Sequence, residues 1–180
     1  MLIGLTGTNS AGKGEVAAYL VKKGFVYYSL SDEIREIMAK EGIPATRENM
    51  IKKGVRLRKE KGLGCLAELV LKKAGSKAVV DSVRNPGEAN ALRKRKGFFL
   101  IAVDAPIELR FQRAKERGRI GDGETLADFR QKQEQEMKGK GSEQNLSECM
   151  KMADFTIIND STKEKLYKKI ETVLTYAAKR

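Results

Sequence analysis

Residues 2–15 read Leu2-Ile3-Gly4-Leu5-Thr6-Gly7-Thr8-Asn9-Ser10-Ala11-Gly12-Lys13-Gly14-Glu15, and this stretch decides the fold. Its apolar start predicts a buried strand, and the pattern from Val16 to Val21 predicts a helix. Between them, Gly7, Gly12 and Lys13 have the G-x-x-x-x-G-K spacing. A polyphosphate needs inward backbone N–H groups, a helix N-terminus and one lysine. The stretch therefore predicts a phosphate-binding loop; a glycine-rich turn with a surface lysine is the alternative.

Such a loop binds a nucleotide through a continuous set of residues. The predicted ATP contacts in it are Gly7, Thr8, Asn9, Ser10, Ala11, Gly12, Lys13, Gly14 and Glu15. Gly14 stands where most loops of this kind place a Ser or Thr that binds magnesium. The nucleotide prediction does not depend on that residue, but the way in which magnesium is held stays open.

Composition limits the class of protein. With 180 residues the chain fits one domain, residues 1–180, that is large enough to bury a single core. No apolar run approaches the roughly 20 residues of a membrane helix, and the N-terminus predicts a strand rather than a secretory signal, so we expect a cytoplasmic protein without a membrane partner. There is no histidine, and Cys65 and Cys149 lack C-x-x-C spacing, which excludes zinc sites and histidine-activated nucleophiles. The oligomeric state, monomer or homodimer, is left open.

The chain is strongly basic, because it has 36 Lys and Arg but only 24 Asp and Glu, which gives a formal net charge of +12. Such a field attracts nucleic acids and small polyanions alike. The lysines are spread over helical stretches, which is typical of solvated faces. The dense block Arg93 to Lys96 has no interleaved aromatic residues, so a stacking platform for single strands is not predicted. Nucleic acid is therefore not the favoured partner.

Apolar runs alternate with helical periodicity, which predicts an α/β fold with a five-stranded parallel sheet between helical layers. The predicted strands are Leu2 to Thr6, Phe25 to Tyr28, Ala78 to Asp81, Phe98 to Val103 and Phe155 to Ile158. The predicted helices are Lys13 to Lys23, Asp32 to Glu41, Arg47 to Lys61, Cys65 to Lys73, Pro86 to Lys96, Ile107 to Arg117, Leu126 to Met137 and Lys163 to Ala178. We expect an insertion at about residues 30–75 and a lid at about residues 117–140, since long insertions in compact sheets are functional or mobile.

Ligands of open parallel sheets bind beyond the carboxyl ends of the strands. Asp81 ends a buried strand there, where a carboxylate can order magnesium-bound water or accept a proton. Arg84 can then bind an acceptor phosphate. A helix-capping turn is the alternative, and it accounts for Asn85 but not for the carboxylate.

A second set of candidate phosphate-binding residues follows the second predicted strand. Ser29 and Ser31 are placed to cap a helix, Asp32 lies in its first turn, and Arg35 lies about one turn in. A helix N-terminus with a guanidinium suits a second phosphate, so Ser31, Asp32 and Arg35 are predicted to bind the acceptor. An ordinary capped helix with a surface arginine is the alternative.

Arginines recur at the start of the predicted lid. Arg110, Arg113 and Arg117 have the spacing of one helix face, and Arg119 follows between glycines. Arginines beside glycine hinges suit a lid that closes on transferring phosphates, so Arg113, Arg117 and Arg119 are predicted to be catalytic. Exposed helix arginines of no function are the alternative.

Over nearly its whole length the chain resembles the nucleoside monophosphate kinases, which are phosphate-loop enzymes related to adenylate kinase. Gly12-Lys13-Gly14 is similar to the Gly-Lys-Gly of adenylate kinases, whereas Glu15 replaces their usual Thr. Residues 29–35 resemble the start of their monophosphate-binding helix. Residues 81–84 resemble the Asp-x-x-Arg turn of deoxynucleoside monophosphate kinases, and residues 153–160 a segment of dephospho-coenzyme A kinases.

The resemblance implies ATP-dependent phosphoryl transfer to a small phosphorylated acceptor, a nucleoside or deoxynucleoside monophosphate, with Mg²⁺. It implies that Lys13 bridges the outer ATP phosphates, that Asp81 holds magnesium through water, and that Arg35 and Arg84 hold the acceptor. The loop after the last strand, Asn159, Asp160 and Ser161, is implied to border adenine. Two alternatives stay open: a dephospho-coenzyme A kinase with Asp32 as general base, and a nucleotide-gated ATPase that binds nucleic acid through Arg93 to Lys96.

Overall fold

The computed structural model describes residues 1–118 and 121–179, and these residues contain one sheet of five parallel strands. The strand order is β2-β3-β1-β4-β5. The strands are β1 (Leu2–Gly7), β2 (Val26–Ser29), β3 (Ala78–Asp81), β4 (Phe98–Asp104) and β5 (Phe155–Ile158). The predicted α/β class and parallel sheet are confirmed, and every predicted strand is present within one residue of its expected ends.

Helices cover both faces of the sheet. They are α1 (Lys13–Lys22), α2 (Leu30–Lys40), α3 (Arg47–Lys61), α4 (Cys65–Lys73), α5 (Pro86–Arg93), α6 (Ile107–Arg117), α7 (Leu126–Lys138), α8 (Leu146–Lys151) and α9 (Lys163–Ala178). Across the part of the chain that the structure describes, no helix combines the length and apolarity needed to cross a membrane.

Two helix predictions are corrected, and the structure adds one helix. Helix α2 begins at Leu30, so Ser31 lies inside the helix, and Ser29 takes the N-cap position without a side-chain cap bond. Helix α5 ends at Arg93 rather than at Lys96, because the chain turns there into Gly97, whose φ is 75°. Helix α8 was not predicted at all. Its N-cap is Asn145, whose side chain accepts a hydrogen bond from the Glu148 N–H.

The core has two layers because successive side chains of each strand point to opposite faces. Ile3 and Leu5 of β1 pack with helices α1 and α9, whereas Leu2 packs with the residues of α2, α4 and α5. Strand β4 divides in the same way, with Leu100 on one face and Ile101 on the other. All five residues are almost completely buried, as expected for strands of a parallel sheet covered on both sides.

The topology brings the functional loops together. Strand β1 lies at the centre of the sheet, with β3 on one side and β4 on the other. The residues that follow β1, β3 and β4 therefore share one edge of the sheet. Helices α2, α3 and α4 leave this edge between β2 and β3, and α7 lies against α6 and α8 between β4 and β5.

Candidate active site

The loop from Gly7 to Lys13 has a backbone that glycine makes possible. Gly7 has a φ of 125° and Gly12 a φ of 100°, and Ser10 also lies in the left-handed region at 59°. A Cβ on Gly7 would lie 2.0 Å from the Val103 carbonyl oxygen of the neighbouring strand. Only glycine fits there, so the first residue of the motif is fixed by the sheet beside it.

Neighbouring elements brace this loop. Thr8 Oγ1 donates to Asp104 Oδ1 at 2.5 Å, and Asn159 Nδ2 donates to the Ala11 carbonyl at 2.9 Å. Arg110 is almost fully buried and donates to the Ala105 carbonyl at 2.7 Å. Arg110 also donates to the Asn9 carbonyl at 3.4 Å and so supports the loop. It is absent from the cavity lining, although its spacing predicts one helix face with Arg113 and Arg117.

Lys13 begins α1 and folds back over the loop. Its Nζ donates to the Gly7 carbonyl at 2.8 Å and to the Thr8 carbonyl at 2.7 Å. Burial, together with the nearby Arg84 guanidinium, lowers the pKa of Lys13 to about 8. Because burial disfavours the charged form of this ammonium group, an anion that replaced the two carbonyl oxygens would stabilise it.

A cavity of about 430 Å³ joins this loop to the predicted acceptor side. Its size falls within the range of small-molecule sites. Lys13, Arg35 of α2, Asp81 and Arg84 after β3 all line this cavity, and Lys13 is close enough to Arg84 and Asp81 for both charges to affect its pKa. The cavity lining from the loop consists of Asn9, Ser10, Gly12, Lys13, Gly14 and Glu15. The Ser10 hydroxyl oxygen is buried and has no hydrogen-bond partner among the described residues.

The acceptor side combines cations with an apolar wall. Arg35 is half-exposed and forms an ion pair with Asp32. Asp32 itself is not part of the cavity lining, whereas Ser31 is. The apolar lining comes from α2, α3 and α4 and comprises Leu30, Ile34, Met50, Ile51 and Leu66.

A buried ion pair fixes α3 to α5 below this wall. Arg58 Nε donates to Glu88 Oε1 at 2.8 Å, and both side chains are almost fully buried. The second Glu88 oxygen accepts from the backbone N–H groups of Arg84 at 2.8 Å and Asn85 at 3.0 Å. Asn85 caps α5, as the alternative interpretation of this turn proposed. The capping box and the ion pair together set the position of Arg84.

Asp81 fits a magnesium ion that is shared with phosphates. Its Oδ1 accepts from the Ser82 N–H at 2.5 Å, but its Oδ2 has only a distant contact with Tyr27 Oη at 3.5 Å. Among the described residues no group of three metal-binding side chains exists. Mg²⁺ in nucleotide sites needs only one or two carboxylates beside phosphates and water, so the donor set is compatible.

The predicted lid residues lie at different places. Arg113 and Arg117 line the cavity, and Arg119 lies outside the described residues. Arg113 donates to the Asn159 carbonyl at 3.1 Å. Arg117 donates to Asn9 Oδ1 at 3.1 Å and to Asp122 Oδ2 at 2.5 Å.

The predicted adenine loop has structural contacts of its own. Asn159 is buried against the phosphate loop, and Asp160 forms an ion pair with Lys169 at 3.2 Å. Ser161 is exposed. Beside them Glu15 accepts a hydrogen bond from the Tyr167 hydroxyl, which, with Lys163, holds the pKa of the Glu15 carboxyl below its usual value. The adenine contacts stay a prediction.

The sequence interpretation missed the ion pairs of this region. Arg47 forms ion pairs with both Asp122 and Glu136, and Arg58 forms one with Glu88. The spacing of Glu88 from Asn85 could have signalled a capping box. Nothing local connects Arg47 with Asp122, which is 75 residues away.

The basic block takes part in the fold. Arg93 pairs with Asp154 at 3.3 Å, and Arg95 donates to the carbonyls of Ala74 at 2.7 Å and Gly75 at 2.6 Å. Two of its four cations therefore bind the chain itself.

Comparison with known proteins agrees with this geometry. The family model described as an AAA domain matches residues 3–151. A UPF0200 protein of Thermococcus gammatolerans is 34% identical over 184 residues, covering 97% of this chain and 94% of the relative. Shikimate kinase from Bacteroides thetaiotaomicron superposes with a TM-score of 0.64 at 14% identity, covering 97% of this chain and 98% of that one. Shikimate kinase from Acinetobacter baumannii, in complex with shikimate, gives a TM-score of 0.62 at 18% identity, covering 97% and 93%. These similarities identify the fold as that of the phosphate-loop kinases.

Proposed function

The chain belongs to the UPF0200 family and to the AAA-domain family, and we propose that it transfers the terminal phosphoryl group of ATP to a nucleoside or deoxynucleoside monophosphate. One observation carries the proposal. A single cavity is lined both by the phosphate loop with Lys13 and by the guanidinium groups of Arg35 and Arg84. Two anionic ligands can therefore meet in it, one bound by main-chain N–H groups and the other by guanidinium groups.

Each side has a defined task. The N–H groups of the loop and Lys13 bind the ATP phosphates, and the unpartnered Ser10 hydroxyl can donate to a phosphate oxygen. Arg35 and Arg84 orient the acceptor phosphate, one oxygen of which attacks the terminal phosphorus of ATP while the bond to ADP breaks. Such transfer needs positioning and charge neutralisation rather than covalent work by the protein. Mg²⁺, when bound, neutralises phosphate charge, and Asp81 would hold it through water.

The lid side supplies further positive charge. Arg113 and Arg117 line the same cavity from α6. Their guanidinium groups can stabilise charge on the transferring phosphoryl group. Arg119 is proposed to share this task.

The position of Asp32 bears on the alternative acceptor. Phosphorylation of a hydroxyl, as by a dephospho-coenzyme A kinase, requires a general base beside that hydroxyl. Asp32 forms an ion pair with Arg35 and is absent from the cavity lining. This arrangement favours an acceptor that brings its own ionised oxygen, such as a phosphate.

The contacts of the basic block bear on the nucleic-acid alternative. Arg93 and Arg95 are bound to backbone and carboxylate groups of this chain, which leaves the exposed Lys94 and Lys96 as the cations of the block without a partner among the described residues. Two exposed lysines give little phosphate neutralisation and hence weak, salt-sensitive binding.

A coupled assay of ADP release tests the proposal. We expect Mg-ATP turnover to be stimulated by one or more members of a panel of ribo- and deoxyribonucleoside monophosphates, and not by dephospho-coenzyme A, shikimate or gluconate. Stimulation by a hydroxyl acceptor alone would replace the proposed acceptor class, and turnover without any acceptor dependence would overturn the transfer reaction.

A matched pair of variants localises the acceptor. Arg35→Gln should raise KM for the monophosphate by about tenfold or more while leaving KM for ATP within about twofold, because only the acceptor side loses a charge-assisted hydrogen bond. Arg56→Gln, an exposed arginine of α3 paired with Glu60, is the control and should change neither constant. Equal behaviour of the two variants would contradict the assignment of Arg35.

A further inference from the structure

Arg47, at the first position of α3, bridges two carboxylates of the segment between α6 and α8. Its guanidinium forms an ion pair with Asp122 through one nitrogen and donates to Glu136 Oε1 at 2.5 Å through the other. The side chain of Arg47 is only 16% exposed, and those of Asp122 and Glu136 are 4% and 8% exposed. The three groups thus form a buried network; Arg47 and Glu136 line the phosphate cavity, and Asp122 lies behind its lining.

Asp122 also binds the donor side of the cavity. Its Oδ2 accepts from Arg117 at 2.5 Å, and its Oδ1 accepts from Asn9 Nδ2 of the phosphate loop at 3.1 Å. Burial alone would raise the pKa of this carboxyl, but Arg117, Asn9 and Arg47 together hold it below its usual value. Asp122 is therefore an anion surrounded by donors that come from three separate elements.

Glu136 reaches the acceptor side. Its Oε2 lies 3.7 Å from an Arg84 guanidinium nitrogen, and Arg84 also donates to Gln144 at 3.1 Å. Arg47, Arg84 and Arg117 consequently converge on two carboxylates. Three guanidinium groups that share two carboxylates would repel one another if those carboxylates were absent. Asp122 and Glu136 supply the negative charge that offsets this repulsion.

We propose that Arg47, Arg84 and Arg117 form one binding site for phosphoryl groups, in which Asp122 and Glu136 take the place of phosphate until a ligand displaces them. The inference rests on the proposed function, because it names Arg47 as a further phosphate-binding residue between the donor side at Arg117 and the acceptor side at Arg84. A phosphate presents more acceptor oxygens to a guanidinium fork than a carboxylate does, so it can compete with Asp122 and Glu136 for these arginines. Both carboxylates lie in the segment that flanks or forms α7, and phosphates entering the cavity would repel this segment.

The test measures binding of inorganic tripolyphosphate by calorimetry, because this ligand requires no catalysis. In the variant Asp122→Asn/Glu136→Gln the arginines lose their internal anions, and we expect tripolyphosphate to bind about tenfold more tightly than to the unmodified protein. The matched control is Glu124→Gln/Glu134→Gln. It removes two exposed carboxylates of the same segment, neither of which pairs with any described residue, and so reproduces the change in net charge. We expect at most a twofold gain from the control.

Adding Arg47→Gln to Asp122→Asn/Glu136→Gln should remove most of the gain, whereas adding Lys59→Gln, an exposed cation of the same helix, should not. The single variant Glu136→Gln, which leaves Asp122 between Arg47 and Arg117, should show a severalfold gain and serves if the double variant does not fold. Unchanged or weaker binding in folded variants would overturn the inference while leaving the phosphate loop intact. Failure of all proteins to bind tripolyphosphate would instead overturn the phosphate site and the proposed function with it.

Discussion

The side-chain Nδ2 of Asn159 donates a hydrogen bond to the Ala11 carbonyl at 2.9 Å, which joins the loop after β5 to the phosphate loop. A Cβ on Gly12 would lie 2.2 Å from the same amide nitrogen, so the second glycine of the motif makes room for this contact. The resemblance to nucleotide kinases placed Asn159 next to adenine. The structure shows it supporting the loop that is proposed to bind phosphates.

The variant Asn159→Ala separates these two roles. Loss of the amide leaves the buried Ala11 carbonyl without its partner, which costs about 1–3 kcal/mol and loosens the loop. We therefore expect weaker binding of both ATP and inorganic tripolyphosphate in calorimetry. Asn90→Ala, on the exposed side of α5, is the control. Weaker binding of ATP with unchanged binding of tripolyphosphate would show that Asn159 acts through the adenine ring alone.

Gly7→Ala should be strongly destabilising. The new Cβ meets the Val103 backbone, which cannot rotate away, and the backbone at Gly7 has a φ of 125°. Crowding and strain together cost about 3 kcal/mol. Gly42→Ala is the matched control, because Gly42 also has a positive φ, 69°, but has open space around it; its cost is about 1 kcal/mol. Urea unfolding measures both, and equal losses would contradict the argument from crowding.

Lys13 makes phosphate binding depend on pH. Its pKa is lowered from 10.5 to about 8 in the ligand-free protein, and a bound phosphate favours the protonated form. Affinity for tripolyphosphate should therefore fall above pH 8, by at most about tenfold per pH unit. In Lys13→Met this fall should disappear and the affinity should be low throughout. Lys22→Met, an exposed lysine in the last turn of α1, should keep the profile of the unmodified protein.

Lys13 also makes the free energy of unfolding depend on pH, and the direction of this dependence follows from its lowered pKa. Between pH 8 and 10.5 the unfolded chain binds more protons at this position than the folded chain does. The contribution of Lys13 to the free energy of unfolding must therefore rise across this interval, since the penalty for burying an ammonium is lost. Urea unfolding of Lys13→Met and of Lys22→Met at about pH 7 and about pH 10 measures it; a stability difference between them that does not change with pH would contradict the assigned pKa.

Glu88→Gln should cost about 3–5 kcal/mol of stability, because it leaves the buried Arg58 guanidinium without its anion. The amide also turns a donor toward either Arg58 or the N–H groups of Arg84 and Asn85. Glu60→Gln removes an exposed carboxylate paired with Arg56 and should cost far less stability, because solvent screens this pair. Thermal or urea unfolding compares the two, and similar losses would show that Glu88 is not the anion on which the α3–α5 contact depends.

Local patterns were sufficient for most of the fold. Strands β3 and β5 occupy the predicted residues, because each is a short apolar run that ends at a polar residue of the site. Helix α8 was missed since six residues give too little periodicity, although Asn145 and Glu148 have the spacing of a cap. Long elements with an apolar face were recognised, and the short, polar one was not.

Residues that follow the predicted strands could be assigned to one edge of the sheet from the sequence, but ion pairs between distant residues could not. The loop from Gly7 to Lys13 is a continuous motif, and its geometry follows from the strand before it and the helix after it. The pairs Arg47–Asp122 and Arg58–Glu88 join residues 75 and 30 positions apart. Their partners are set by the packing of α3 against α5 and against the segment between α6 and α8, which no spacing along the chain encodes.

The central position of β1 gives the two halves of the cavity different mechanical support. Strands flank β1 on both sides, so the loop that it carries is anchored in the part of the molecule expected to exchange its amide hydrogens most slowly. Arg35 and Arg47 belong to helices outside the sheet, where local opening requires less free energy. We therefore expect α2 and α3 to open locally when the proposed acceptor enters or leaves, while the loop after β1 stays in place.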